Sequence, residues 1–137
     1  MKLWFVEMSK KCWVYQNGRP NIEVSFSTST GQQKKKRLIA DTGNPVAFIL
    51  SFHELQEISF SSAPSIGSQW GMLFGAWVEV SVEDLHFKKR MVAYANDVIA
   101  SSAQTEGFDG LAGLKFLDEF VYSGDGTQFC LETNSDR

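Results

Sequence analysis

The sequence predicts a mainly β fold in one domain. Apolar and polar residues alternate with period two in several segments, and turn-forming residues separate those segments. Of the 137 residues, 43% are hydrophobic and 21% charged, which is typical of a folded globular protein. No repeat, linker or shift in composition divides the chain. We therefore expect residues 1–137 to form a single domain with one core.

The first expected element is a β-hairpin. Segment 11–16, KCWVYQ, is followed by Asn17-Gly18, a strong signal for a two-residue turn. Segment 21–29, NIEVSFSTS, then alternates apolar with polar residues, as a half-buried strand does. Residues 46–50 form a short apolar block, which suits a strand covered on both faces.

The second half of the chain predicts three more strands. Residues 76–82, AWVEVSV, place apolar side chains on one face, and EDLH at 83–86 is expected to turn the chain into FKKRMVAYA at 87–95. TQFCLE, at 127–132, is the last expected strand. These segments make strand the dominant secondary structure.

Helix is expected in two places only. SFHELQEI, residues 51–58, carries apolar residues at a spacing of three. Near the C-terminus, LAGLKFLDEFVY places Leu114, Leu117, Phe120 and Val121 on one stripe, which predicts a short helix, and Gly124 follows as a stop signal.

Charge and hydropathy exclude several classes of partner. The net charge of −3 creates no overall field that would attract nucleic acid or an anionic membrane. The basic run at 34–37, KKKR, is interpreted as a solvated loop, because no aromatic residue interleaves it. No apolar run approaches transmembrane length, and residues 1–13 lack the features of a signal peptide. An intracellular, cytoplasmic protein with neither nucleic acid nor membrane as partner is expected.

The two cysteines are too few for a disulfide scaffold and show no zinc-binding spacing. Cys12 and Cys130 are expected to be free thiols in a reducing compartment. A single bridge between the two ends of the chain is the alternative.

Common catalytic motifs are absent from the sequence. HELQE at 53–57 differs from the zinc-binding H-E-x-x-H because Glu57 replaces the second histidine. The chain contains no G-x-S-x-G elbow and no glycine loop of the nucleotide-binding types.

A glycine-rich segment lies at residues 66–77, IGSQWGMLFGAW. Glycine weakens a strand and often marks a bulge or a close backbone approach. The segment is interpreted either as an irregular hairpin or as a mobile hairpin whose apolar tip closes over a ligand.

The strongest candidate for chemistry is Asp41, in LIADTGNPVAFIL at residues 38–50. A carboxylate at a strand end activates water when a second carboxylate lies beside it, because the two groups then share a proton. Thr42 offers a hydroxyl that can hold the loop, and Gly43 removes a side chain where the backbone must approach closely.

This segment resembles the active-site strand–loop–strand of aspartic proteases. FDGLAGLKFLDEF, residues 108–120, is similar to the family's hydrophobic-hydrophobic-Gly element and the helix after it, with Leu111, Ala112 and Gly113 in the matching positions. The glycine-rich segment falls between the two, where the family has its flap. These three elements lie in the family's order within residues 20–131.

A single D-T-G in a short chain makes the sequence similar to the retroviral type, the retropepsin-like proteases. The resemblance implies a closed, barrel-like β fold with one short C-terminal helix, active as a two-fold homodimer. The second carboxylate would be Asp41 of the other chain, since Asp109 lacks the Thr-Gly context. In the family the terminal strands build the dimer sheet, which implies KLWFVEM (2–8) and TQFCLE at the interface.

The implied activity is an aspartic endopeptidase acting on peptide or protein substrates, with no metal or organic cofactor. Asn44 departs from the family's usual Ala or Ser, and is expected to bond the catalytic carboxylate through its amide or to change the pH optimum. Trp70 or Trp77 is expected to close the pocket in place of a flap tyrosine. The residues expected to cover and bind the substrate are Gly67, Trp70, Gly71, Met72, Leu73, Phe74 and Gly75. The alternative is an inactive peptide-binding or dimerisation module with the same fold.

Overall fold

The computed structural model describes residues 9–133. The strands are β1 (Lys10–Val14), β2 (Asn21–Ser27), β3 (Gln33–Asp41), β4 (Phe48–Leu50), β5 (Ser61–Ser68), β6 (Gly71–Val82), β7 (Phe87–Ala95), β8 (Gly110–Gly113), β9 (Phe120–Gly124) and β10 (Gln128–Thr133). The helices are α1 (Phe52–Ile58), α2 (Asp97–Gln104) and α3 (Leu114–Leu117), and a 3-10 turn spans Glu83–Leu85. Strand therefore outweighs helix by 56% to 18%, which confirms the prediction of a mainly β fold.

Six strands close into a barrel in the order β2-β3-β8-β4-β7-β6. The ring is closed by pairing of Ser25 with Ser81 and of Phe26 with Val80. β5 extends the sheet beyond β6 as an edge strand. The predicted closed barrel is thus confirmed.

Aromatic side chains fill the barrel. Phe26 packs edge-on against Phe48 at 5.1 Å between ring centroids, and Phe48 contacts Phe116 at 4.9 Å. All three are fully buried. β4 is buried along its whole length, as the apolar block at 46–50 predicted.

The predicted N-terminal hairpin is only half right. Asn17 and Gly18 do form the turn, both with positive φ, and Gln16 bridges Arg19. The strands on either side then diverge, because β1 pairs with β10 while β2 pairs with β3. The turn depends on neighbouring residues only, whereas the partner of β1 is β10, more than 100 residues away in sequence.

β1, β10 and β9 form a separate three-stranded sheet with β10 in the centre. TQFCLE therefore has both hydrogen-bonding edges occupied within its own chain, and among the described residues β1 and β9 are the edge strands of this sheet. KLWFVEM lies outside the described residues.

A disulfide joins Cys12 to Cys130, which face each other across β1 and β10. The expectation of two free thiols is wrong, and the alternative of a bridge between the chain ends is correct. The sequence alone does not reveal this bond, because the two cysteines lie close together only when β1 pairs with β10. With both cysteines in this bond, the cysteines no longer indicate a reducing compartment.

The basic run 34–37 is part of β3 rather than a loop. Lys36 forms an ion pair of 2.9 Å with Glu54 in which both side chains are largely buried, and Arg37 bonds Asn21 at 2.7 Å. A carboxylate and an amide oxygen on neighbouring elements thus bind two of the cationic residues of this strand. None of the helices within residues 9–133 is both long and apolar enough to cross a membrane.

The helices differ from expectation in two respects. α1 forms where predicted, with the Ser51 hydroxyl accepting from the N–H of Glu54 as its N-cap. α3 ends at Leu117 instead of Phe120, because Phe120 enters β9 and pairs with Thr133. α2 was not predicted, so residues 9–133 contain three α-helices where two were expected.

Candidate active site

The site is organised by β8, which lies between β3 and β4. β8 runs parallel to β3, with Ala40 opposite Ala112 and Asp41 opposite Gly113. On its other side β8 is antiparallel to β4, which places Phe48 opposite Ala112. Asp41 is the last residue of β3, and the segment that follows it, 42–47, passes around the end of β8 and joins β3 to β4; Asp41 and this segment together form the Asp41 loop.

Hydrogen bonds fasten this loop to the end of β8. The N–H of Gly113 donates to the carbonyl of Ala47 at 2.8 Å, and the N–H of Leu114 donates to the carbonyl of Asn44 at 2.7 Å. Such an approach needs glycine: a Cβ on Gly113 would collide with the carbonyl oxygens of Val46 and Asn44. Gly110 is equally crowded by the backbone of Ile49.

We expect Gly113→Ala to destabilise the protein by roughly 2–4 kcal/mol, because backbone atoms of the Asp41 loop cannot yield without breaking those hydrogen bonds. Urea unfolding of the variant beside wild type measures the loss. Gly67→Ala is the matched control, since its added Cβ would meet no atom within 4 Å. Equal unfolding midpoints for Gly113→Ala and wild type would contradict the close approach.

Within the loop, the Asp41 carboxylate is oriented by its own backbone. The N–H of Gly43 donates to Oδ1 of Asp41 at 3.0 Å. A Cβ on Gly43 would lie 3.3 Å from the same oxygen, so the absence of a side chain leaves the carboxylate room. Asp41 is half-buried, while Thr42 and Gly43 are exposed.

Asn44 bonds the loop rather than the carboxylate. Its Oδ1 accepts from the N–H of Val46 at 3.2 Å, and its own N–H donates to the carbonyl of Asp41 at 3.2 Å. No hydrogen bond joins its side chain to the Asp41 carboxylate in the described chain. The expected direct contact is therefore absent, and Asn44 shapes the turn that carries Asp41.

Asp41 opens into a cleft of about 650 Å³. Its floor is β3, β8 and the Asp41 loop, its roof is the tip of the glycine-rich hairpin (residues 66–77), and its far wall is α2. Besides Asp41, the residues that line the cleft include Trp70, Leu73, Ile99, Arg19 and Glu106. The structure thus brings the Asp41 loop and the glycine-rich hairpin together around one space.

The predicted hairpin residues divide between two faces. Gly67, Trp70 and Leu73 line the cleft, together with Ile66. Phe74 points away and packs edge-on against Phe52 at 5.7 Å, beside a smaller groove that Gly75 also lines. Gly71 and Met72 line neither.

Of the two tryptophans expected to close the pocket, only Trp70 lines it. Trp77 lies further along β6, opposite Ser61, and is exposed. Gly75 has the structural role predicted for glycine in this segment, since a Cβ there would lie 2.6 Å from the carbonyl oxygen of Pro64. The register of β5 against β6 shifts at the same point.

Helix α2 is the part of the site that sequence reasoning missed. Its cleft-facing residues recur at helical spacing, at Val98, Ile99, Ser102 and Ala103, and Glu106 lines the cleft just beyond its end. Alanines and serines blur this pattern, although Asn96 as N-cap, with its Oδ1 accepting from the N–H of Ile99, was a usable start signal. Ala103 joins Ile39 and Phe108 in a small cluster that holds the helix against the cleft floor.

A charged pair, Arg19 and Glu106, also lines the cleft. Nε of Arg19 lies 2.9 Å from Oε1 of Glu106, and the side chain of Asn17 donates to the Glu106 carbonyl at 2.7 Å. Both contacts tie the Asn17-Gly18 turn to the end of α2. Within residues 9–133, no three His, Cys, Asp or Glu side chains are grouped to hold a metal ion.

Asp109 lies at the opposite end of β8 from the loop. Its Oδ2 accepts from the N–H of Arg37 at 2.9 Å, four residues before Asp41 on β3. At the rise of an extended strand, that is roughly 13 Å from Asp41. Asp109 is thus a structural acceptor and does not pair with Asp41 within one chain.

No family model matches the chain, and no curated protein matches it in sequence. Among solved structures, the chain is similar to the EIAV protease complexed with the inhibitor HBY-793. The two share 18% sequence identity and superpose with a TM-score of 0.44, over 74% of this chain and 86% of the other. A similarity at this level does not identify the function of the chain. We therefore infer the function from the geometry of the site.

Proposed function

We propose that the chain is one subunit of a retropepsin-like aspartic endopeptidase, active as a homodimer. In this proposal, Asp41 and Asp41 of a second copy meet at a two-fold axis and activate a water molecule for attack on a peptide carbonyl. One carboxylate takes the proton of the water while the other, protonated, donates to the carbonyl oxygen. The observation that carries it is the position of Asp41 on a loop around β8, facing a cleft under the glycine-rich hairpin.

The need for a second chain follows from the acids of the cleft. Asp41 and Glu106 are the acidic residues that line it, and Glu106 is engaged by Arg19. That ion pair occupies the Glu106 carboxylate, which leaves Asp41 of a second copy as the partner carboxylate in this proposal. The exposed Thr42 and Gly43 leave the D-T-G loop open to contact with another copy.

Each loop residue then has a role in the proposal. Gly43 orients the Asp41 carboxylate through its N–H. Asn44 holds the turn through the N–H of Val46. Thr42, exposed at the open side, offers its hydroxyl to the loop of the second copy.

The proposed substrate is an extended peptide lying between the Asp41 loop and the glycine-rich hairpin. Backbone hydrogen bonds would supply affinity, and side-chain pockets would supply selection. Ile39, Ile49 and Leu111 on the floor and Leu73 on the roof favour apolar side chains next to the cleaved bond. Leu111, Ala112 and Gly113 support the loop from β8.

The direct test is incubation of the purified protein with a denatured-protein or random-peptide mixture, from acidic to neutral pH, with products mapped by mass spectrometry. Reproducible cuts flanked by apolar residues support the proposal. A folded dimer that binds peptides and cuts none at any pH would refute the hydrolysis and leave peptide binding as the activity.

The proposed dimer predicts that specific activity depends on protein concentration. Because each dyad needs two chains, the specific activity should fall about tenfold per tenfold dilution once most of the protein is monomeric. Sedimentation velocity at the same concentrations gives the dimer fraction for comparison. Full specific activity from a strict monomer would contradict the two-chain dyad.

A further inference from the structure

The glycine-rich hairpin extends beyond the strand that supports it. β7 ends at Ala95, opposite Phe74, so no strand within residues 9–133 pairs with residues 71–73 of β6 on that side. The side chain of the next residue, Asn96, occupies the position that a continued strand would fill. Its Nδ2 donates to the carbonyls of Trp70 and Met72, each at 3.3 Å.

Both ends of the Asn96 side-chain amide and its backbone N–H are hydrogen-bonded. Its Oδ1 accepts from the N–H of Ile99 at 3.0 Å, and its backbone N–H donates to the carbonyl of Leu50 at 3.0 Å. The residue is buried, with 8% of its surface exposed. It therefore connects the roof of the cleft to the start of α2 and to the end of β4.

The tip of the hairpin has little else to hold it. The Ser68 hydroxyl donates to the carbonyl of Gly71 and accepts from the N–H of Trp70, so these bonds stay inside the hairpin. Among the described residues, the two bonds from Asn96 are the only side-chain hydrogen bonds between residues 66–72 and the rest of the chain. Trp70 is 58% exposed although its side chain lines the cleft.

We propose that Asn96 is a positioning residue that latches the hairpin over the cleft and thereby fixes Trp70 above the substrate. Entry of a peptide breaks its two hydrogen bonds to the hairpin, and closure restores them. The catalytic consequence rests on the proposed function, whereas the latch itself does not.

Asparagine suits this place because its amide both donates and accepts. Asn96→Asp keeps an oxygen for the N–H of Ile99 and so keeps the cap of α2, but sets a carboxylate against two carbonyls. Asn96→Ser also keeps a cap without adding charge, and its side chain is too short to reach the hairpin. The two variants separate the latch from the cap.

Hydrogen–deuterium exchange tests the latch without any need for catalysis. Loss of two hydrogen bonds should speed exchange in residues 66–74 by about tenfold or more in Asn96→Asp and Asn96→Ser, while the amides of α2 stay protected. Asn96→Ala should speed exchange in both segments. Gln56→Glu, an exposed change on α1, controls for the added charge.

Wild-type exchange of the hairpin in the folded Asn96→Ser variant would overturn the latch. In the catalytic arm, the best-cut peptide of the random mixture should show a KM raised about three- to tenfold in Asn96→Ser, with kcat within about twofold. A fall in kcat alone would overturn the positioning role. If wild type cuts no peptide, the proposed hydrolysis fails separately and the exchange result still decides the latch.

Discussion

Asp41→Asn should lower peptide cleavage at least about a thousandfold while leaving the fold intact. The amide cannot take a proton from water or share one with a second carboxylate, and general acid–base catalysis commonly contributes 10²–10⁴-fold. Because the Asn side chain keeps an oxygen for the N–H of Gly43, the loop should hold its shape. Steady-state cleavage of a mapped peptide beside circular dichroism measures both effects.

Asp109→Asn is the matched control. Asp109 is also an aspartate beside β8, and its replacement keeps an acceptor for the N–H of Arg37. Activity should stay near wild type. Equal cleavage by wild type and Asp41→Asn would refute the dyad. Loss of cleavage only in Asp109→Asn would indicate that the catalytic carboxylate is Asp109, at the other end of β8.

Reduction of the disulfide should produce the largest change in stability. The bond closes a loop between residues 118 apart in sequence. Cross-linking over such a length is expected to stabilise the folded state by about 4–5 kcal/mol, chiefly by restricting the unfolded chain. Urea unfolding with and without dithiothreitol should therefore show a large fall in the midpoint for wild type.

The double variant Cys12→Ala, Cys130→Ala provides the control, since its midpoint should already be low and should not respond to dithiothreitol. A count of two free thiols in the purified protein, or an unchanged wild-type midpoint on reduction, would contradict the bond. The outcome also indicates whether the protein reaches full stability in a reducing compartment.

Local patterns predicted most elements of the barrel. Alternation in 21–29 and 76–82 specified strands because one face of each meets the core, and the strand-like run 87–95 forms β7. The D-T-G triplet and Leu111-Ala112-Gly113 singled out segments that the structure places side by side. These signals succeed because the side-chain period of a strand and the need for glycine at a close approach depend on only a few neighbouring residues.

Features that depend on distant contacts were not predictable in this way. Helix α2 carries alanine and serine where it packs against Ile39 and Phe108, so its apolar period is weak. The run 34–37 is a strand because β2 pairs with it, and Glu54 and Asn21 approach from other elements to bond Lys36 and Arg37. Phe120 leaves the expected helix because β10 offers it a strand partner.

The sequence by itself determined the β class, the identity of the candidate carboxylate and the glycines that allow its loop to pack. Tertiary structure alone decided that β1 leaves its turn partner for β10, that Cys12 meets Cys130, and that α2 walls the cleft with Asn96 at its start. The physical reason is that alternation and turn propensity act over a few residues, whereas strand pairing, disulfide formation and side-chain hydrogen bonding depend on which distant segments the closed barrel brings together.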